Sequence, residues 1–130
     1  MNMLPHGTKV FLCTHVTDMR LGFNGLIGLT RTLLKQNPQS GDLFVFVNRR
    51  ADYAKVLYFA RGGFCLWAKR LEQGCFAKIT GNDCVVVLND TQLMMWLDGI
   101  GLDQRRQQKR YKNSPHYRYD TLVTEVKSAA

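Results

Sequence analysis

The chain has 130 residues, 45% of them hydrophobic and 22% charged, with eighteen Lys+Arg against ten Asp+Glu and a formal net charge of +8. This length predicts one domain with an ordinary core, and this balance excludes wholesale disorder, collagen-like repeats and disulfide-dense scaffolds. The longest uncharged stretch near the start, residues 21–30, holds three glycines in ten residues; a membrane-spanning helix needs ~20 apolar residues, and no secretory signal precedes it, so a cytoplasmic protein is expected.

Residues 8–14 (T-K-V-F-L-C-T) form a short apolar run with β-branched and aromatic members, the pattern of a buried strand. Phe23, Leu26, Ile27, Thr30, Leu33 and Leu34 then recur at helical steps, with Asp18 or Asn24 as the candidate cap and Asn37-Pro38 as the stop. Gly25 and Gly28 within that helix predict close packing against another backbone. Residues 43–47, 55–60, 64–70, 75–79 and 84–88 read as further strands, separated by polar connections and by turns such as Arg61-Gly62-Gly63. Asn89-Asp90-Thr91 opens a second helix, with Leu93, Met94, Trp96, Leu97 and Ile100 as its apolar face.

This order predicts an α+β fold: an antiparallel sheet of about five strands in a meander, two amphipathic helices and a basic C-terminal tail. The expected division is a single domain over 1–102 and a basic, flexible tail over 103–130, with a possible edge strand at 119–127. One core on one covered face of the sheet should collect Leu26, Ile27, Leu33, Phe44, Phe46, Leu57, Leu66, Val86, Leu93 and Leu97.

The four cysteines, Cys13, Cys65, Cys75 and Cys84, lie in apolar or strand-like runs and have no C-x-x-C or Cys/His zinc spacing. They are expected to be reduced core or half-core thiols, with no metal and no cofactor. Catalytic motifs are missing too: there is no G-x-S-x-G, P-loop, G-x-G-x-x-G or H-E-x-x-H. The acids mostly fall at turns and caps, so no enzyme is expected. A nuclease would need Asp18, Asp52 and Glu72 gathered in one cleft.

Charge is the informative quantity. A basic balance favours a polyanionic partner, nucleic acid before a membrane surface. Residues 1–100 carry eleven basic and seven acidic side chains, and residues 101–130 carry seven and three, so the last part is the more densely charged. In the middle of the chain Arg49, Arg50, Lys55, Lys69 and Arg70 interleave with Tyr53, Tyr58, Phe59, Phe64 and Trp67. Such cations can meet phosphates, and exposed aromatics can stack on bases. The aromatics fit the inner face of a sheet better, whereas the cations fit either a binding or a solvating role. Arg105, Arg106, Lys109 and Arg110 form a basic arm of the kind that holds a phosphate backbone without reading sequence.

Three blocks carry a resemblance. Residues 16–26 (V-T-D-M-R-L-G-F-N-G-L), residues 41–58 with L-F-V-F, N-R-R-A-D and K-V-L-Y, and residues 63–74 (G-F-C-L-W-A-K-R-L-E-Q-G) are similar to the insertion sequence 66 accessory proteins, also called TnpB or Orf2-like. The resemblance spans about residues 5–102 and departs from the family pattern at Phe59-Ala60 and Lys78-Ile79. It implies a small bacterial protein encoded beside a separate transposase and needed for efficient transposition. The resulting expectation is a non-catalytic accessory factor that binds DNA through the basic residues above. The alternative is a module that docks on the transposase through Arg20 and the Arg49/Arg50 turn.

Overall fold

The computed structural model describes residues 7–79 and 83–99, and every structural statement below concerns those residues. Five strands and two helices follow in the order β1 (Val10–Cys13), α1 (Phe23–Thr32), β2 (Leu43–Val47), β3 (Tyr53–Ala60), β4 (Gly63–Arg70), β5 (Val85–Leu88) and α2 (Asp90–Leu97). The strands form one sheet in the spatial order β4-β3-β2-β1-β5. The fold is α+β and its pairing is mostly antiparallel, as expected. Only β2-β3-β4 is a meander, with Phe44 opposite Leu57 and Val56 opposite Trp67.

The sheet is mixed because β1 and β2 run parallel, Phe11 opposite Phe44. Parallel neighbours need a crossover, and α1 supplies it. β5 then returns to the far side of β1, with Leu12 opposite Val86, instead of extending the meander beyond β4. β1 therefore has a strand on each side and a helix layer on each face.

This arrangement overturns the expectation of one core on one face. Leu26 and Leu34 pack with Phe11, Cys13, Phe44, Phe46 and Leu57 on one face, joined by the partly buried Ile27, Leu33 and Leu66. The opposite face holds Val10, Leu12, Val45, Val56 and Leu88 beneath Leu93, Trp96 and Leu97, with Val86 beside them. Successive side chains of a strand point to opposite faces, so the uniformly buried run Val10–Cys13 requires two covers.

Local chemistry explains most element ends. The β3–β4 turn uses positive φ at Arg61 (52°) and Gly62 (81°), the backbone form that matches the twist of a two-residue hairpin. α2 opens with a capping box: the Asn89 side chain accepts from the Gln92 N–H at 2.7 Å, and the Gln92 side chain accepts from the Asn89 N–H at 2.9 Å. α1 has no side-chain cap; Gly22 stands at its N-cap, and the helix ends before Asn37-Pro38, with Lys35 in the left-handed region at φ 57°. The helix glycines do not mark a close backbone approach. A Cβ at Gly25 would strike only the Leu21 side chain, at 2.7 Å, and one at Gly28 would meet nothing within 4 Å.

Residues 75–79 are not a strand. The segment runs irregularly past the sheet and inserts Phe76, which stacks on Trp96 with ring centres 4.5 Å apart. Trp96 Nε1 donates to the Ala77 carbonyl at 2.8 Å, satisfying a main-chain group that no ladder serves. The four cysteines are free thiols, and burial pushes the Cys13 thiol up from its ordinary pKa. No helix of the described residues is long and apolar enough to cross a membrane. Arg105, Arg106, Lys109, Arg110 and the edge strand expected at 119–127 lie outside the described residues.

Trp96 thus joins α2, the sheet and the irregular segment. Trp96→Ala is expected to lower unfolding stability by about 3–5 kcal/mol in urea titrations. Trp96→Phe keeps a ring against Phe76 but leaves the Ala77 carbonyl without its donor, and should cost about 1–3 kcal/mol.

Candidate nucleic-acid interface

The basic residues singled out in the middle of the chain meet at one end of the sheet, where β1 and β2 finish, β3 begins and β4 finishes. The β2–β3 turn at that end is built on Asn48. Its side-chain oxygen accepts from the Asp52 and Tyr53 N–H groups at 3.0 and 3.1 Å, while its amide donates to the Asp52 carboxylate at 2.8 Å. Ala51 takes a left-handed φ of 57° within the turn, and its carbonyl accepts from the Phe76 N–H at 2.6 Å. The adjoining Asp52 carbonyl accepts from the Leu71 N–H at 2.7 Å. The turn is therefore fixed from inside while Arg49 and Arg50 project from it, both exposed. The Arg50 side chain is 84% exposed and only loosely paired with Asp52, at 3.9 Å.

Arg70 lies opposite Tyr53 across the β3–β4 ladder, with its guanidinium 4.8 Å from the centre of the tyrosine ring. Stacking on a ring holds a guanidinium in place while leaving its edge donors available. Arg70 is exposed, like the two arginines of the turn.

The lysines behave differently. Lys55 is half-buried, and its ammonium donates to the Met19 and Leu21 carbonyls at 2.8 and 3.0 Å, tying the β1–α1 loop to β3. Lys69 donates to the Leu97 carbonyl at 2.9 Å and lies 3.7 Å from the Asp98 carboxylate, so it holds the end of α2. Both lysines turn inward and serve the fold directly.

Arg20 projects from the β1–α1 loop and makes a two-pronged pair with Asp18, its Nε and terminal nitrogen donating at 3.1 and 2.8 Å. The Arg20 guanidinium and main-chain N–H together hold the Asp18 carboxyl at about 2, against an ordinary 3.8. On either side of this pair the loop and the start of α1 expose Val16 (54%) and Phe23 (47%). Thr17 anchors the same loop by donating its N–H to the Val47 carbonyl at 2.9 Å.

Tyr53, Tyr58, Phe59, Phe64 and Trp67 are all partly buried. Tyr58 and Trp67 pack on the α2 face and Phe64 on the α1 face, so these rings belong mainly to the core. Two features escaped the reading of the sequence. One is Asn48 as organiser of the arginine turn, hinted at by the liking of asparagine for turns that bond their own backbone. The other is a cleft of about 380 Å³ beside that turn, reached by Arg49 and Lys78. No local pattern announces it, because its walls come from segments far apart in the chain. Among the described residues, no three His, Cys, Asp or Glu side chains gather as a metal site requires.

A family model described as "IS66 Orf2 like protein" matches residues 8–107, extending past the expected boundary at 102 to include Arg105 and Arg106. The chain is 37% identical over 112 residues to "Uncharacterized protein y4hO" of Sinorhizobium fredii (strain NBRC 101917 / NGR234), covering 85% of this chain and 96% of that protein. It is also 37% identical over 70 residues to "Uncharacterized protein y4jC" of the same organism, covering 54% of this chain and 60% of that protein. No solved structure matches the chain.

Two outcomes follow from the loop geometry. Lys55→Met leaves the Met19 and Leu21 carbonyls without their donor and should lower unfolding stability by about 1–3 kcal/mol. A carboxyl NMR titration should find Asp18 with a midpoint of about 2, returning toward 3.8 in Arg20→Ala. Because the folded value is depressed, the contribution of the pair is complete above 3.8 and is lost as the pH falls toward 2.

Proposed function

The chain belongs to the IS66 Orf2-like family, and from that premise we propose that it is a non-catalytic accessory factor for transposition of a bacterial insertion sequence, binding DNA through the basic end of its sheet. The observation that carries this reading is the sorting of cations. Arg49, Arg50 and Arg70 point outward from one end of a rigid sheet, whereas Lys55 and Lys69 are engaged with main-chain carbonyls. Three arginines fixed by a built turn and a ring stack suit phosphate oxygens, which a guanidinium meets with paired donors. Contacts of this kind position a protein on the backbone without reading bases. Arg105, Arg106, Lys109 and Arg110 would add further phosphate contacts along the same strand. A cytoplasmic location accords with this role.

A second reading has its own observation. Val16 on the β1–α1 loop and Phe23 at the start of α1 are exposed apolar side chains flanking the Asp18–Arg20 pair, and Lys55 holds the loop between them. Ordered apolar anchors beside an arginine are typical of protein contact sites. In this reading the protein docks on the transposase of its element through Arg20 and the Arg49/Arg50 turn, without touching DNA.

A salt titration of duplex binding separates the two. Each phosphate neutralised contributes about −0.9 to the log–log slope, so the three arginines alone account for roughly −2.7, with the basic arm adding to it. Arg49→Ala/Arg50→Ala should reduce the slope by about two units, while Lys69→Met leaves it near the parent value. An unchanged slope in the double variant removes the turn from the DNA contact. The transposase reading then leads, and a pull-down of that transposase with nuclease present is its direct check.

A further inference from the structure

The cleft beside the arginine turn lies outside the carboxyl ends of β1 and β2, the two parallel strands of the sheet. Leu12, Cys13 and Thr14 line it from the end of β1, and Val47, Asn48 and Arg49 line it from the end of β2. The carboxyl ends of parallel strands are where ligand crevices form, because the chain leaves neighbouring strands in different directions. Here β1 leaves toward α1 on one face, β2 leaves into the hairpin with β3, and residues 77–79 pass along the remaining side.

At about 380 Å³ the cleft is at the small end for a ligand site, too small to admit a double helix. Val16, Val47 and Ile79 supply apolar wall, and Arg49 and Lys78, both exposed, supply cations. Asp83 is the one acid among the described lining residues. A small body with a flat apolar face, an amino-bearing edge and one attached anion matches all three features. A protein carboxylate matches only the cations.

Resting on the DNA-binding reading above, we infer that this cleft holds one unpaired nucleotide of a DNA strand, its base against Val16, Val47 and Ile79 and its phosphate at Arg49 and Lys78. Asp83 then accepts from an exocyclic amino group of the base. The duplex lies across the outward arginines, and the strand leaves it at the cleft. This makes the protein a binder of DNA ends or opened junctions in preference to continuous duplex.

The test is fluorescence anisotropy of the full chain with a labelled blunt duplex and with the same duplex carrying short single-stranded 3′ extensions. The readout is the ratio of the two affinities for each protein, so a general loss of DNA affinity cancels. The parent should favour the extended duplex roughly ten-fold, toward the low end of what a base stacked on an aromatic ring contributes, because Val16, Val47 and Ile79 are aliphatic. Val16→Glu, an exposed position at the cleft, should bring the ratio back to about one by setting a solvated charge where the base has its apolar wall, while Val16→Ile keeps it; melting temperatures confirm that both variants fold. A parent ratio of one overturns the inference and leaves the duplex reading standing. A preference that survives Val16→Glu overturns it as well, by locating the single-strand contact elsewhere. Free deoxynucleoside monophosphates binding as tightly as the extended duplex would make a free nucleotide the ligand, and so count against it. Failure to bind the blunt duplex even at low salt removes the reading underneath.

Discussion

The structure depends on β1 being buried on both faces. Its four residues, Val10 to Cys13, are at most 7% exposed, and their side chains alternate between two separate clusters. A strand in that position must have a strand on each side and a cover above and below, since its main-chain groups and its side chains all leave water. α1 is one cover and α2 with Phe76 is the other. Because α1 lies between β1 and β2 in the chain, the two strands become parallel and their carboxyl ends come side by side. The arginine turn, the β1–α1 loop and the cleft all gather at that end for this reason.

Gathering several connections at one end leaves main-chain groups that no ladder pairs. The chain solves this with side chains long enough to reach them. Lys55 donates to two carbonyls of the β1–α1 loop, Lys69 to the last turn of α2, and Trp96 to the irregular segment at Ala77. A lysine can do this because its apolar stem lies along the sheet while its ammonium finds oxygen at the rim. Arg49, Arg50 and Arg70 stay outside, where the planar donors of a guanidinium suit planar or tetrahedral anions. Lys55 and Lys69 are drawn inward because carbonyls are left open within reach of their stems.

The same end also explains how an exposed loop is held in place. Thr17 fixes the β1–α1 loop to the end of β2, Lys55 fixes it to β3, and the Asp18–Arg20 pair closes it on itself. Both members of the pair are exposed, so its strength lies in geometry and falls with added salt. Its effect is to present Val16 and Phe23 in set positions beside the arginine turn.

Much was legible in the sequence because it depended on neighbours in the chain. β2 and β4 and the start of α2 follow from β-rich runs, from Arg61-Gly62 and from Asn89 three residues before Gln92. The family was legible from V-T-D-M-R, N-R-R-A-D and L-W-A-K-R at their spacings. Tertiary structure alone decided the rest. An apolar run such as Val10 to Cys13 reads the same whether one face or both are covered, so the two cores became visible only once α1 and α2 were seen on opposite faces. Residues 75–79 have the composition of a strand, but no free ladder meets them, and packing of Phe76 on Trp96 prevails over their propensity. Whether a lysine faces water or a carbonyl depends on which main-chain groups the sheet leaves unpaired, a property of the whole topology that residues adjacent in sequence do not encode.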